Sequence, residues 1–468
     1  MMAQPGPRAA ALMAWLYAAA ASLSCAEPMQ PRQITTAPHG HLLTNVGVWS
    51  PDSRWIVYDV RSTPDGSTFD GTRIERVEVA TGRVEVLYES GRGACCGVVT
   101  ACPVDDRVAF ILGPEDPAPD WSYGPARRQG MVVRCSKAGV AEPLDARDLV
   151  PPFTAGALRG GSHVHVFSPD GAAVSFTYED AVLEQAAAAG RPAEANLRGL
   201  GVSVCCRPTI VPPSHPRNQA GTAFTVAVTR LTDRPRPGSD EISRAVEEAW
   251  IGSAGSVRAD GVRQPRSLAF QGQVATKSGV AINEVFVVDL PDDLADLAIP
   301  GAGPLAGTPT IRPVPPRGVT QRRLTFTADR RHPGIQGPRH WLRSSPDGAE
   351  IAWLCRDDAG VVQLCTVPTA GGPLRQVTRG PAGIESAFTW TPDGRGIACV
   401  IDGSVCLVAV ADGQVTRLTP PVARDKAPRP EACVVSPCGR LVAFVRPVAG
   451  ADGRVWNQVF TAATTGGF

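Results

Sequence analysis

Residues 158–171 read LRGGSHVHVFSPDG, and residues 172–176 continue as AAVSF. The end of this stretch is turn chemistry. Pro169 presets φ at the second turn position, Asp170 bonds local backbone, and Gly171 takes a φ that a side chain resists. An alternating run, Val174-Ser175-Phe176, follows as a half-buried strand. The unit recurs along the chain. It stands as Trp49-Ser50-Pro51-Asp52 before Trp55–Tyr58, and as Ser345-Pro346-Asp347-Gly348 and Thr391-Pro392-Asp393-Gly394. A degraded copy is Ser436-Pro437-Cys438-Gly439, and Cys102-Pro103 before Val108-Ala109-Phe110 is weaker.

A third and a fourth strand follow each hairpin. Val362–Cys365 leads to Gly371-Gly372 and Leu374–Thr378, and Val405–Val408 leads to Asp412-Gly413 and Val415–Thr419. Four short strands per unit describe a propeller blade. Pro346, Pro392 and Pro437 lie one blade apart, and the gap from Pro169 to Pro346 is too long for one. A blade without its own turn is expected there, from Thr222–Arg230, Ser267–Gln271, Glu284–Leu290 and Arg323–Thr325. The expectation is a single all-β domain over 30–468, a seven-bladed β-propeller. It carries an insertion at about 232–265, with an N-capped helix over Ile242–Trp250, and a Pro-rich loop at about 299–317. The C-terminal strands stop where a fourth should begin, so Arg32-Gln33-Ile34-Thr35 is expected to close the ring by pairing with the last blade. The turn Asp402-Gly403 sets Cys399 opposite Cys406.

Residues 1–26 read as a cleaved export signal. Arg8 precedes the apolar stretch Ala9–Leu23, which is too short to span a bilayer, and Ser24-Cys25-Ala26 is a small-residue cleavage site. The rival reading makes Cys25 a lipidated first residue. The expected location is periplasmic or secreted, with no membrane span. The 13 cysteines do not form an evident disulfide framework and include no C-x-x-C pair. With 46 Lys+Arg against 45 Asp+Glu, no basic excess suits nucleic acid.

These residues resemble the TolB-like propeller proteins, which repeat Ser-Pro-Asp-Gly hairpins and Arg-Gln-Leu-Thr strand ends. The similarity is closer to the bacterial YidR-like family. It is carried by Gln33-Ile34-Thr35, His41–Asn45, Leu158–Gly171, Pro237–Glu241, Gln321–Thr327 and Pro338–Trp341. This resemblance implies the fold and assigns no activity. A more distant one is to oligogalacturonate lyases, propellers that hold manganese with a His-x-His pair before such a turn, as His163-Val164-His165 stands here. The lyase pattern also wants a Gln shortly upstream, where Arg159–Ser162 offers none.

Counting back from the residue before each turn places Asn45, Gly97, His163, His340, Ser386 and Glu431 at one repeat position. Equivalent positions stand at equal height around a propeller axis, so a polar ring is expected at one channel mouth. His165, two positions after His163, is expected on the same side of its strand. If a divalent metal such as Mn binds, His163, His165 and His340 are the expected ligands, supplemented by Asn45, His41 or Glu431. The competing reading is a solvated lining. The loop Trp121-Ser122-Tyr123 with Arg127-Arg128 has the aromatic and basic character that suits a sugar or an acidic chain. Two functions stay open. One is a monomeric binding module of the cell envelope for a protein or glycan ligand. The other is a metal-dependent polysaccharide lyase or hydrolase, in which a cation neutralises a uronate carboxylate beside a base. No nucleophile elbow, P-loop, dinucleotide fingerprint or zinc-protease helix is present.

Overall fold

The repeated turn closes on its own side chains. Ser50, Ser168 and Thr391 donate to Asp52, Asp170 and Asp393 at 2.5–2.6 Å, and each hydroxyl accepts a backbone N–H five residues further on at 2.9 Å. Ser345 and Asp347 pair in the same way. The left-handed position that follows is Gly171, Gly348, Gly394 or Gly439, and Ser53 at φ 60° in the first copy. In the last copy Cys438 replaces the Asp, its sulfur 3.4 Å from the Ser436 hydroxyl.

In the computed structural model, which describes residues 28–464 apart from 45, 64, 65, 432 and 452, these hairpins build seven four-stranded antiparallel sheets. The fold is therefore the expected seven-bladed β-propeller. The innermost strands, blade by blade, are Gly40–Leu42, Cys96–Ala101, Gly160–Phe167, Ile242–Trp250, Arg343–Ser344, Thr389–Trp390 and Val434–Val435. Apolar clusters fill the junctions between neighbouring blades. Phe270 and Phe286 lie between blades three and four, and Phe388 lies between five and six. Tyr58, Ile56 and Val459 lie between blades one and seven. The expected signal segment, Cys25 and Asn45 lie outside the described residues. Among the described residues no helix is long and apolar enough to cross a membrane.

Arg32–Gln33 pairs with Val455–Ala463 as the outer strand of blade seven. Side chains confirm the equivalence. In blade five Thr378 Oγ1 accepts from Leu364 N at 2.9 Å and donates to Gln363 Oε1 at 2.7 Å. In blade seven Thr35 Oγ1 accepts from Val459 N at 2.8 Å and donates to Gln458 Oε1 at 2.7 Å. Residues from opposite ends of the chain thus reproduce one local bonding unit. Cys399 does face Cys406, and both thiols are free. The disulfide joins Cys355 to Cys365 instead, on adjacent strands of blade five.

Blade four differs from expectation. Ile242–Trp250 is not a helix but its innermost strand, so this part of the segment read as an insertion belongs to the blade, while Ser256–Val257 and Arg263–Gln264 form a separate hairpin. Thr222–Arg230 falls to the outer edge of blade three, through Phe224–Ala227. Two register shifts, between Ile242 and Arg244 and between Val246 and Ala249, interrupt this strand. Each bulge inserts a residue and breaks the two-residue alternation. Its apolar positions then fall at spacings that imitate a helix. The Pro-rich loop packs on blade three, where Arg312 pairs with Asp233 and Glu194.

Candidate functional site

The channel has two unlike mouths. Ends of the innermost strands line one of them, an apolar cavity of about 370 Å3 ringed by Trp49, Trp250 and Trp390. Each indole N–H donates to a carbonyl of a neighbouring blade, at 2.9–3.0 Å, so these rings are fixed. The other mouth lies where those strands begin. It holds a cavity of about 550 Å3, lined by Asp59, Arg61, Phe69, Tyr123, Arg128, His163, Arg339, Trp341 and Glu431 among others.

Of the imidazoles expected as a metal set, only His163 faces this cavity. Val164, the residue after it, sits at φ 59°, and the register shifts between His163 and Val166. A β-branched residue in that region is a genuine outlier, held by the bulge. The bulge turns the next side chain into the protein. His165 is fully buried, its ring 5.6 Å from that of Phe176 and its Nε2 3.7 Å from Asp145 Oδ1. Burial pushes its pKa down to about 3 and that of Asp145 up to about 6. His165 and His163 therefore point apart, contrary to the alternation argument. Val98 and Glu247 occupy the same left-handed position in blades two and four, at φ 58° and 56°. Glu248, the counterpart of His165, is likewise buried.

His340 is not a ligand either. Its Nδ1 lies 2.8 Å from the Pro338 carbonyl, which only accepts, so Nδ1 carries the proton. Its Nε2 accepts from Leu354 N at 3.2 Å, leaving no lone pair for a metal. Ser386 does the same one blade later, accepting from Val400 N at 2.9 Å. In these two blades the shared repeat position bonds the neighbouring strand. Manganese thus does not fit His163, His165 and His340. His41 is buried behind the mouth, its Nδ1 2.9 Å from the Asn457 carbonyl. Glu431 does line the mouth, with Arg429 3.7 Å away.

The mouth is instead organised by arginine and aromatic groups. Arg61 is nearly buried, pairs with Asp59 at 2.6 Å and lies 4.5 Å over the Phe69 ring. Phe69 stacks on Tyr123 at 4.8 Å. Arg128 donates from Nε to the Tyr123 hydroxyl at 3.0 Å. Arg339 pairs with Glu247 at 2.9 Å and lies 4.5 Å over Trp341. Arg128 has no carboxylate partner among the described residues, so its charge is the least compensated of the three. The pKa of His163 is driven well down, first by burial, then by Arg128, Arg339 and Arg198. Of the loop Trp121–Tyr123 with Arg127 and Arg128, Tyr123 and Arg128 line this mouth, whereas Trp121 is buried and Arg127 pairs with Glu184. Asp59, Arg61 and Phe69 were not legible in the sequence, because they belong to the second strand and following loop of blade one, away from the innermost positions that the repeat ruler samples.

Comparison with known proteins follows from this geometry. Over 426 residues the chain is 43% identical to the uncharacterised protein YidR of Escherichia coli K12, covering 91% of this chain and 96% of that protein. The chain belongs to the YidR family. Residues 95–219 of this YidR-family chain also match a family described as a protein of unknown function, DUF3748. Among solved structures it is similar to an oligogalacturonate lyase in complex with manganese, at 11% identity and TM-score 0.51, covering 93% of this chain and 98% of that one. It also matches TolB from Acinetobacter baumannii at 13% identity and TM-score 0.35, covering 88% and 81%. The lyase likeness shows a shared propeller fold alone.

Proposed function

We propose that this YidR-family chain is an exported binding protein of the cell envelope, whose arginine-lined mouth holds an acidic glycan. The observation that carries the reading is Arg128, a guanidinium at the rim of a 550 Å3 cavity with no carboxylate neutralising it among the described residues. That volume suits a small ligand, for which such sites run to about 300–1,000 Å3. Tyr123, Phe69 and Trp341 add aromatic surface to the lining, while Arg61 and Arg339 are already paired with Asp59 and Glu247 and leave Arg128 as the free charge among the described residues of the lining. The export signal read in residues 1–26 is what supports an envelope location. The lyase or hydrolase alternative needs a metal set at this mouth, and His163 alone does not make one.

Calorimetric titration with oligogalacturonate and with a neutral oligosaccharide of equal length tests this. Binding of the acidic chain only, weakened at least ten-fold in Arg128→Gln, is expected. Equal binding by that variant, or none by the wild type, defeats the reading. An acidic peptide that binds in place of the glycan moves the assignment to a protein partner. Release of unsaturated uronate product moves it to the lyase.

A further inference from the structure

A second group of chemistry-bearing side chains lies away from that cavity, at the seam between the first and last blades. His39 and His41 flank Gly40 at the start of the innermost strand of blade one, and Glu75 stands on its third strand. One ligand atom from each lies within 4.8 Å of the others. The rings of His39 and His41 stack at 4.5 Å, and Tyr58 lies 4.8 Å from His41.

The tautomer of His41 follows from its partner. The Asn457 carbonyl can only accept, so Nδ1 carries the proton and Nε2 presents a lone pair. His41 is 1% exposed, and its Nε2 has no hydrogen-bond partner. Nδ1 of His39 is likewise buried and unpartnered. Burying such atoms without partners costs free energy. A carbonyl that holds one ring nitrogen so that the other is offered inward is the usual outer support of a metal-bound imidazole. Glu75 is 3% exposed and brings negative charge, at present 3.3 Å from Arg73.

We propose that His39, His41 and Glu75 form a binding site for one divalent transition cation of the zinc class. Two neutral imidazoles and one carboxylate suit zinc, cobalt or nickel, and offer calcium too few oxygens. Bond lengths of about 2.0–2.1 Å set tetrahedral ligands roughly 3.4 Å apart, so the donors must draw together. His39 supplies that movement, since it is only partly buried. Because the Asn457 carbonyl on blade seven holds His41, an ion here ties blade one to the closing blade. The site is independent of the glycan reading.

The test uses the full chain, stripped with chelator and titrated calorimetrically with zinc, with cobalt absorption as a readout of ligand geometry. One ion per chain is expected, with a melting temperature that rises with zinc. Glu75→Gln and His41→Gln should each weaken zinc binding more than ten-fold and abolish the rise in melting temperature. His163→Ala should bind zinc as the wild type does. Because His41 is buried, His39→Gln at the partly exposed position serves as the variant that keeps its fold, and it too should weaken binding more than ten-fold. Absence of stoichiometric uptake by the wild type overturns the proposal. So does unchanged affinity in folded His39→Gln or Glu75→Gln protein. Loss of glycan binding with zinc binding intact would defeat only the function proposed above.

Discussion

Thr35→Val should destabilise the whole propeller, although Thr35 lies near the start of the chain. Thr35 is 2% exposed, and its hydroxyl accepts from Val459 N at 2.8 Å and donates to Gln458 Oε1 at 2.7 Å. Valine matches threonine in shape, so no cavity opens, but two buried polar groups on blade seven lose a partner. Each such loss costs about 1–3 kcal/mol. Gln458 keeps its bond from Nε2 to the Ala37 carbonyl at 2.8 Å, which lowers the sum. The expected cost is about 2–4 kcal/mol, read as a shift in urea midpoint at unchanged slope. Thr378→Val is the internal control, because Thr378 makes the same two bonds within blade five, at 2.9 and 2.7 Å. The two variants should lose similar stability. If Thr378→Val costs several kcal/mol while Thr35→Val costs under about 0.5 kcal/mol, the N-terminal segment does not close the ring and the reasoning fails.

His340→Ala should cost about 2–4 kcal/mol in chemical unfolding, through the unpaired Leu354 N–H and the space left beside Phe388, and should leave metal content unchanged. A fall in bound metal without a fall in stability would restore His340 as a ligand. Glu248→Gln should flatten the loss of stability with rising pH. Burial raises the Glu248 carboxyl to about 8 in the folded chain, with Glu247 adding to the rise and Arg343 and Arg339 opposing it. A raised folded pKa gives stability that is complete below the unfolded value, near 4.5, and is lost as pH rises through about 8. The gap between the variant and the wild type should therefore widen in the variant's favour across that window in urea titrations. A constant gap would show that Glu248 does not titrate there.

How much of this was legible depends on what a repeat can encode. The turns, the blade count and the closing strand each rest on local rules that recur, such as a Ser or Thr bonding an Asp, or a Thr capping a neighbouring N–H. Height around the axis was legible for the same reason, and His163 and Glu431 do reach the mouth. Direction was not. The left-handed Val164 and the register shift beside it send His165 inward, and nothing in Ser162–Val166 marks a bulge, since valine is among the residues least suited to that conformation. The same irregularity in Ile242–Trp250 made a strand look helical.

The two proposed sites are separated by the pleat of one strand, Trp55–Arg61. Successive side chains on a strand face opposite sides. Tyr58 accordingly turns toward His41, and Glu75 is the residue paired with it across the sheet. Its neighbour Asp59 turns the other way, accepting from Val98 N at 3.1 Å and pairing with Arg61 at the mouth. Burial drives the Tyr58 phenol pKa up, and the adjacent Glu75 carboxylate adds to that rise. Burial also raises Asp59, while Arg61 opposes the shift. Two polar environments with different partners thus stand back to back across one layer of backbone. A ligand at the mouth meets Asp59 and Arg61, and an ion at the seam meets the opposite face. Blade one borders the blade that Arg32–Gln33 and the C-terminal strands build together, and there His41 bonds blade seven.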